Sequence, residues 1–258
     1  MYKYIQSNVW FGGKLHEKLI PFIKNEQPDF VALQEVIMPR AVSPYTAHPA
    51  LDFLHNLKQA TGLMHSVFVP ETGFSDKTHY DNENLVDMGV AILSKFPIKS
   101  YSYINYIHEY QTFVWETMDR WDIMPKGLLT AHINTPNKPL YVATTHGVWG
   151  TDDKDNADRD IMIDCLLKET RGKTPLLLSG DLNIDQQSQG IGRLEEQLVN
   201  VFKGKLKTSF NMRHKSGGTF DQSVVDFIFA TKDIKIIKAY STNEDVSDHL
   251  PLLLEFEL

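Results

Sequence analysis

Short apolar runs that end in polar residues recur along this chain. In residues 175–183, three leucines lie between Pro175 and Gly180, as is typical of a strand buried on both faces. Asp181 and Asn183 follow, and because they are two residues apart, their side chains point the same way on an extended chain. Burying a carboxylate and an amide without partners is costly, which favours a functional site. A polar turn that bonds its own backbone is the alternative interpretation.

The rest of the pattern predicts an α/β chain. Short runs rich in β-branched, aromatic and leucine residues predict strands at residues 2–10, 30–33, 64–69, 89–93, 98–104, 127–134, 140–145, 224–230, 234–240 and 252–258. Apolar positions at helical spacing predict helices at residues 14–24, 49–63, 158–171 and 193–202. Residues 71–87 are polar and predict a long loop.

Residues 105–126 are rich in aromatic side chains but show neither a strand nor a helix period. The segment contains Trp115, Trp121 and Arg120, of which the last is a candidate contact for a substrate. Aromatic segments serve either as packed covers or as binding platforms, and both interpretations stay open here. We expect the segment to border the functional cleft and to influence substrate choice.

Composition and charge narrow the class of protein. The apolar content suffices for one sizeable core, so we expect a single domain over residues 1–258. The net charge of −7 argues against non-specific binding to duplex nucleic acid, although Arg213, His214 and Lys215 form a basic cluster. The one cysteine excludes an intrachain disulfide, and no apolar run is long enough to span a membrane. No signal peptide is visible, so we expect a cytoplasmic protein. We also expect the protein to be a monomer.

Polar and ionisable residues gather at the ends of the predicted strands. The set consists of Asn8, Glu35, His146, Asp181, Asn183, Asp248 and His249, with Asp226 inside a further strand. Each residue alone has an ordinary explanation, but a sheet edge would bring the whole set into one cleft. Carboxylates suit Mg²⁺, and histidines exchange protons near neutral pH. The spacings of a zinc site, a phosphate-binding loop and a serine-nucleophile elbow are absent.

Seven short motifs occur in a characteristic order along almost the whole chain. They are Ser7-Asn8-Val9-Trp10, Leu33-Gln34-Glu35-Val36, Gly89-Val90-Ala91-Ile92-Leu93-Ser94, Thr145-His146-Gly147, Ser179-Gly180-Asp181-Leu182-Asn183, Val225-Asp226-Phe227-Ile228 and Ser247-Asp248-His249-Leu250-Pro251. In these motifs the chain resembles the endonuclease/exonuclease/phosphatase superfamily, which has the deoxyribonuclease-I-like fold. The sequence His146-Gly147-Val148-Trp149 is similar to small, largely uncharacterised bacterial members. The resemblance implies an α/β four-layer sandwich of two mostly antiparallel β-sheets packed face to face, with helices on the outer faces.

The resemblance also implies roles for the residues in these motifs. The metal, Mg²⁺ with Mn²⁺ as an alternative, would be bound by Glu35, with Asn8 beside it and Asp248 assisting. The remaining positions imply the catalytic groups, namely His146, Asp181, Asn183, Asp226 and His249. In that set Asp181 would orient or deprotonate the attacking water. The side chains of Asn183, His146 and His249 would contact the phosphate. Asp226 would bond the final histidine and raise its pKa.

Two further residues and one missing partner complete the expected site. Trp149 and Arg159 follow the strand that ends in His146, and we expect both to contact the substrate. The resemblance also calls for a carboxylate that supports His146, for which Glu83 and Glu116 are the candidates.

Together these features predict a Mg²⁺-dependent phosphoesterase that hydrolyses a phosphodiester or phosphomonoester by metal-assisted attack of water. Nucleic acid and nucleotides are the expected substrates. Phosphoinositide or sphingolipid head groups are the alternative, and a catalytically silent binding module on the same fold is a second alternative.

Overall fold

Two β-sheets form the centre of the protein, whose computed structural model describes residues 1–40, 52–75, 85–150 and 152–258. The strands are β1 (Tyr2–Asn8), β2 (Phe30–Pro39), β3 (His65–Ser75), β4 (Leu85–Ser94), β5 (Ile98–Ile107), β6 (Thr112–Val114), β7 (Lys126–Ile133), β8 (Leu140–His146), β9 (Leu176–Asp181), β10 (Val199–Asn200), β11 (Asp226–Ala230), β12 (Lys235–Ser241) and β13 (Leu252–Glu257). The helices are α1 (His16–Glu26), α2 (Phe53–Thr61), α3 (Ala157–Thr170) and α4 (Gln189–Gln197).

Each sheet is mostly antiparallel but has a parallel pair near its centre. Sheet 1 has the order β12-β13-β1-β2-β4-β3-β6, and sheet 2 has the order β10-β11-β9-β8-β7-β5. β1 runs parallel to β2 in sheet 1, and β8 runs parallel to β9 in sheet 2. Because parallel strands end at the same edge of a sheet, the polar residues near the ends of these four strands meet at one edge of the sandwich.

Three apolar clusters show four layers. One cluster lies between the sheets and includes Ile92 and Leu254 from sheet 1 with Leu129 and Ile228 from sheet 2. A second joins the outer face of sheet 1 to α1 and α2, and a third joins the outer face of sheet 2 to α3 and α4. The predicted sandwich is therefore confirmed. Within the described residues, no helix has both the length and the apolar character needed to cross a membrane.

The loop predicted at residues 71–87 is wrong at its two ends, residues 71–75 and 85–87. β3 continues to Ser75 and β4 begins at Leu85, while residues 76–84 lie outside the described part of the chain. Phe74, Val86 and Met88 from these strands bury their side chains in a small cluster, which offsets the polar composition of the segment.

Helix boundaries also differ from the prediction. The helix predicted at residues 193–202 begins earlier, at α4, because the Ser188 side chain accepts a hydrogen bond from the Ile191 amide at 3.2 Å and caps the first turn. Strand β10 then replaces the predicted last turn. For the helix predicted at residues 49–63, the structure shows α2, which ends at Gly62 in a left-handed conformation. Residues 41–51 lie outside the described part of the chain.

Candidate active site

Asn8 at the end of β1 joins the two sheets. Its Nδ2 donates to Glu35 Oε1 at 2.9 Å and to Asp181 Oδ2 at 3.1 Å, so one amide holds a carboxylate from each sheet. Its Oδ1 accepts from the Trp10 amide at 3.0 Å, which fixes the orientation of the side chain. The predicted proximity of Asn8 and Glu35 thus follows from the parallel pairing of β1 with β2.

A β-bulge in β2 aims Glu35 at this edge. The register with β4 shifts between Leu33 and Val36, and Glu35 adopts a left-handed conformation with φ of 59°. Regular alternation would point Glu35 to the outer face, where Leu33 packs, and the extra residue redirects it. Its Oε2 accepts from the Phe11 amide at 2.8 Å, which satisfies the second oxygen.

Asp181 lies at the centre of the site. Its Oδ1 accepts from the Asn183 amide at 2.9 Å, and burial raises its pKa to about 6 although the nearby His249 opposes the shift. Asn183 has φ of 54° and donates from Nδ2 to the Gly147 carbonyl at 3.2 Å. A side chain at Gly147 would lie 2.0 Å from the Leu182 carbonyl oxygen, so only glycine allows the two strand ends to approach this closely.

The predicted pair of His249 and Asp226 is present. His249 Nδ1 donates to Asp226 Oδ2 at 2.8 Å, and Gln6 Nε2 donates to the other oxygen at 3.0 Å. Burial alone would lower the pKa of His249, but the carboxylates of Asp226 and Asp181 outweigh it and raise that pKa to about 10. His249 is therefore an imidazolium at neutral pH, with its Nε2 3.7 Å from Asp181 Oδ2.

His146 at the end of β8 has a different electrostatic environment. Its Nε2 lies 3.8 Å from Glu35 Oε1 and 3.9 Å from Asp181 Oδ2, while its Nδ1 lies 2.9 Å from Lys126 Nζ. Burial, the Lys126 charge and the His249 charge together hold its pKa well below the ordinary value, so it is neutral. An ammonium can only donate, so Nδ1 accepts and Nε2 carries the hydrogen that faces the carboxylates.

Lys126 is the residue that the sequence reasoning missed. Where the resemblance calls for a carboxylate beside His146, the structure places this buried ammonium. Of the two predicted carboxylates, Glu116 is exposed and Glu83 lies outside the described residues. In sequence, a lysine at the start of an apolar strand resembles an ordinary solvent-exposed strand end. Its position at the border of an aromatic segment was the only signal available.

Glu71 lies behind Lys126 and provides its counter-charge. Burial raises the pKa of Glu71 to about 7, although Lys126 lowers it in turn. Its Oε1 also accepts from the Gly127 amide at 3.1 Å and from the Tyr103 hydroxyl at 3.3 Å. Coulomb attraction between Glu71 and Lys126, and the hydrogen bond between Lys126 and His146, therefore link the interior to the site.

The last loop closes the site from the side of β13. Ser247 Oγ donates to the Asn8 carbonyl at 2.7 Å and ties this loop to β1. Asp248 Oδ2 forms an ion pair with Lys215 Nζ at 2.7 Å, so the predicted basic cluster contributes a side chain here. The structure thus brings Asp248 to the same edge as the other predicted residues.

These residues surround a cavity of about 290 Å³. Its lining comprises Trp10, Phe11, Glu35, Met88, Trp121, Met124, Lys126, His146, Trp149, Asp181, Asn183, Phe210, Lys215, Phe220, Asp248 and His249. Trp121 lies within the aromatic segment, so the segment borders the cleft. Trp115 packs behind it, with ring centroids 5.3 Å apart. Trp149 lines the cavity, as predicted from its position after His146.

The two arginines predicted to bind substrate do not line the cavity. Arg159 is 1% exposed, and its guanidinium donates to the carbonyls of Val148 at 3.2 Å, Asp152 at 2.6 Å and Lys154. The prediction that Arg159 contacts substrate is corrected, because these backbone carbonyls already use its donors. Exposed Arg120 donates to the neighbouring Asp122 at 2.8 Å and 2.7 Å, and its predicted contact with substrate stays a prediction.

The donor atoms at this edge fit a divalent cation. Glu35 and Asp181 supply carboxylate oxygens linked by Asn8, and oxygen ligands suit Mg²⁺. A second grouping, of Asp181, Asp226 and His249, has candidate ligand atoms within 4.8 Å of one another. In that grouping, however, His249 Nδ1 and Asp226 Oδ2 already bond each other.

Several solved structures share this fold over almost the whole length of the chain. An endonuclease/exonuclease/phosphatase from Beutenbergia cavernae superposes with a TM-score of 0.73 at 18% identity, covering 100% of this chain and 71% of that one. The mannosyl-6-phosphatase Bt3783 of Bacteroides thetaiotaomicron matches with a TM-score of 0.67 at 15% identity, covering 100% of both chains. TDP2 of D. rerio, solved with a single-strand DNA product, matches with a TM-score of 0.67 at 16% identity, covering 100% of this chain and 99% of that one.

A search of curated protein sequences returns no match. The model of the Endonuclease/Exonuclease/phosphatase family matches residues 5–249 and so covers nearly the whole chain, including every residue of the edge described above. The sequence motifs, the four-layer sandwich and this match agree, and the chain belongs to the Endonuclease/Exonuclease/phosphatase family.

Proposed function

We propose that this protein is a Mg²⁺-dependent phosphoesterase that hydrolyses a phosphodiester or phosphomonoester by attack of water. The observation that carries the proposal is a convergence on one cavity: Glu35 comes from sheet 1, Asp181 and His146 come from sheet 2, and His249 comes from the loop before β13. Two carboxylates, a neutral histidine and an imidazolium around one space supply the base and the charge stabilisation that phosphoryl transfer needs.

Glu35 would hold the metal ion, with Asn8 and Asp181 beside it and Asp248 on the same cavity wall. When bound there, Mg²⁺ would act as a Lewis acid that takes up charge from the phosphate, and Mn²⁺ is the alternative ion. The Asp181, Asp226 and His249 grouping is less suitable, since a protonated imidazole offers no lone pair to a metal.

The protonation states divide the proton-transfer roles. With a pKa of about 6, Asp181 is ionised at neutral pH but basic enough to accept a proton from the attacking water. His249 is a cation that donates from Nε2 to a phosphate oxygen, and Asp226 keeps it charged. His146 donates a second hydrogen bond from Nε2, and Asn183 holds a further phosphate oxygen. The water oxygen bonds to phosphorus as the bond between phosphorus and the leaving oxygen breaks. The histidines stabilise the negative charge on the phosphate oxygens, and the leaving oxygen takes up a proton from the solvent.

The proposal for the substrate is broader than the proposal for the reaction. Similar structures include a mannosyl-6-phosphatase and a complex of TDP2 with single-strand DNA, so this fold serves both small esters and nucleic acid. By the family resemblance alone, nucleic acid and nucleotides are the first candidates, and phosphoinositide or sphingolipid head groups are the alternative. The lining of the cavity favours a smaller and less polar ester group among the substrates of such a phosphoesterase.

A substrate panel tests the proposal. It comprises an abasic duplex, single-stranded DNA, nucleotides, phosphoinositides and bis-p-nitrophenyl phosphate, each with Mg²⁺ and with a chelator. We expect Mg²⁺-dependent turnover in the parent and its loss in Asp181→Asn. The matched control Asp233→Asn, which lies beyond the opposite end of β11, should keep the parental rate. Absence of turnover across the whole panel would favour a silent binding module instead.

A further inference from the structure

Aromatic rings form two walls of the cavity beside Asp181. On one side Phe11 and Trp121 pack with ring centroids 6.0 Å apart, and both contact the ring of Trp115 behind them. On the other side Phe210 and Phe220 pack edge to face at 4.9 Å. Because rings packed against one another are held in place, both walls are preformed rather than assembled around a ligand.

The walls lie next to the catalytic groups. The ring of Phe210 is 4.7 Å from the imidazole of His249, and the backbone amide of Phe11 donates to Glu35 Oε2 at 2.8 Å. A phosphate held by His249 and Asn183 would therefore place its ester group between the rings. The cavity of about 290 Å³ is at the small end of the range for ligand pockets, which indicates a small ester.

The polar side chains that line the cavity argue against a sugar as the ester group. Every charged or amide side chain of its described lining already belongs to the phosphate and metal site or to the Lys215–Asp248 ion pair. A sugar bound here would bury hydroxyls without dedicated partners, which is unfavourable. An apolar or aromatic group carries no such cost and gains from contact with the rings.

The charges near the rim argue against a long polyanion. Arg213 donates to the Asn243 carbonyl at 2.6 Å, His214 pairs with Asp245 at 2.6 Å, and Lys215 pairs with Asp248. These basic side chains are engaged within the protein, whereas binding to a phosphate backbone requires several cations that can neutralise phosphates.

We propose that the natural substrate is a small phosphate ester whose organic group is aromatic or otherwise apolar, seated between Trp121 and Phe220. This inference rests on the proposed phosphoesterase function, because it takes the phosphate to lie over Asp181. The two rings determine specificity by binding the ester group. The polar residues around Asp181 carry out the hydrolysis.

Calorimetry with non-hydrolysable phosphonates in the presence of Mg²⁺ tests the inference. We expect benzylphosphonate to bind the parent at least tenfold more tightly than methylphosphonate. Trp121→Leu and Phe220→Leu should each reduce that ratio at least threefold while methylphosphonate affinity stays the same. Tyr101→Leu, at an exposed position of β5, is the matched control and should leave the ratio unchanged.

Equal affinity for the two phosphonates, or no binding of either, would overturn the inference. Tighter binding of glucose 6-phosphate or of a single-stranded oligonucleotide than of benzylphosphonate would also overturn it. Because phosphonates are not hydrolysed, the measurement does not depend on turnover. Turnover of the substrate panel without a benzyl preference would therefore reject the inference and leave the proposed phosphoesterase function intact.

Discussion

Replacing Lys126 by methionine tests whether the buried ammonium sets the state of His146. Methionine keeps most of the apolar stem but removes the donor that lies 2.9 Å from Nδ1. Without that donor, Nδ1 can carry the hydrogen instead of Nε2. In a fraction of the molecules, Nε2 then has no hydrogen to donate to the phosphate. A hydrogen bond to a charged group contributes about 1.5–3 kcal/mol, so kcat should fall about 10- to 100-fold.

Nitrogen-15 NMR of the histidines reads the tautomer directly and does not depend on turnover. In the parent we expect an unprotonated Nδ1 and a protonated Nε2 at His146, and in Lys126→Met a mixture of tautomers. Lys235→Met, at an exposed ion pair far along the chain, is the control. A parent that carries hydrogen on Nδ1, or a variant with the parental tautomer and rate, would refute the reasoning.

The fold should survive this substitution because the counter-charge can be neutralised. Lys126 lowers the pKa of Glu71, so in Lys126→Met that pKa should rise above its value of about 7 and leave the carboxyl protonated at neutral pH. The double variant Lys126→Met/Glu71→Gln should be at least as stable as Lys126→Met and no more active. Recovery of activity in the double variant would show that an unpaired Glu71, and not the tautomer, caused the defect.

Three further predictions follow from the buried polar groups. Asp226→Asn should lower the pKa of His249 from about 10. The stability that protonated His249 contributes should then be lost at a lower pH as the pH is raised. An unchanged His249 pKa in an NMR titration would contradict the pairing. Burial raises the pKa of Glu71 from 4.5 to about 7, so this group destabilises the fold as pH rises through that interval, by up to about 3 kcal/mol. Glu71→Gln should remove that part of the pH dependence in urea unfolding, and an unchanged dependence would contradict it. Arg159→Met should cost about 2–4 kcal/mol of unfolding free energy because three backbone carbonyls lose their donor, and a change below 1 kcal/mol would contradict that role.

The sequence predicted the strand ends well because their signal is local. An apolar run followed by Asp181 or His146 specifies a buried strand with a polar end, and the order of the motifs implied which ends meet. The pairing of Asp226 with His249 was also predicted, and the structure has it at 2.8 Å. The bulge at Glu35 carries no comparable signal, since no glycine or proline marks it.

The features that the sequence did not show depend on long-range packing. Lys126 and Glu71 are 55 residues apart and become buried partners only when β7 meets β3 beside His146. Arg159 looked like a substrate contact because it follows His146, whereas its donors face the carbonyls of its own connection. The single-domain, monomeric and cytoplasmic expectations stay predictions.

Magnesium binding by Glu35→Gln tests the central claim most directly. Glutamine keeps the size of the side chain and removes one charged oxygen ligand, and Glu257→Gln, near the opposite end of sheet 1, is the matched control. The account predicts that the parent and the control bind Mg²⁺ in calorimetry and hydrolyse bis-p-nitrophenyl phosphate, whereas Glu35→Gln loses both properties but keeps its circular dichroism spectrum. Magnesium bound by Glu35→Gln as tightly as by the parent would contradict the account.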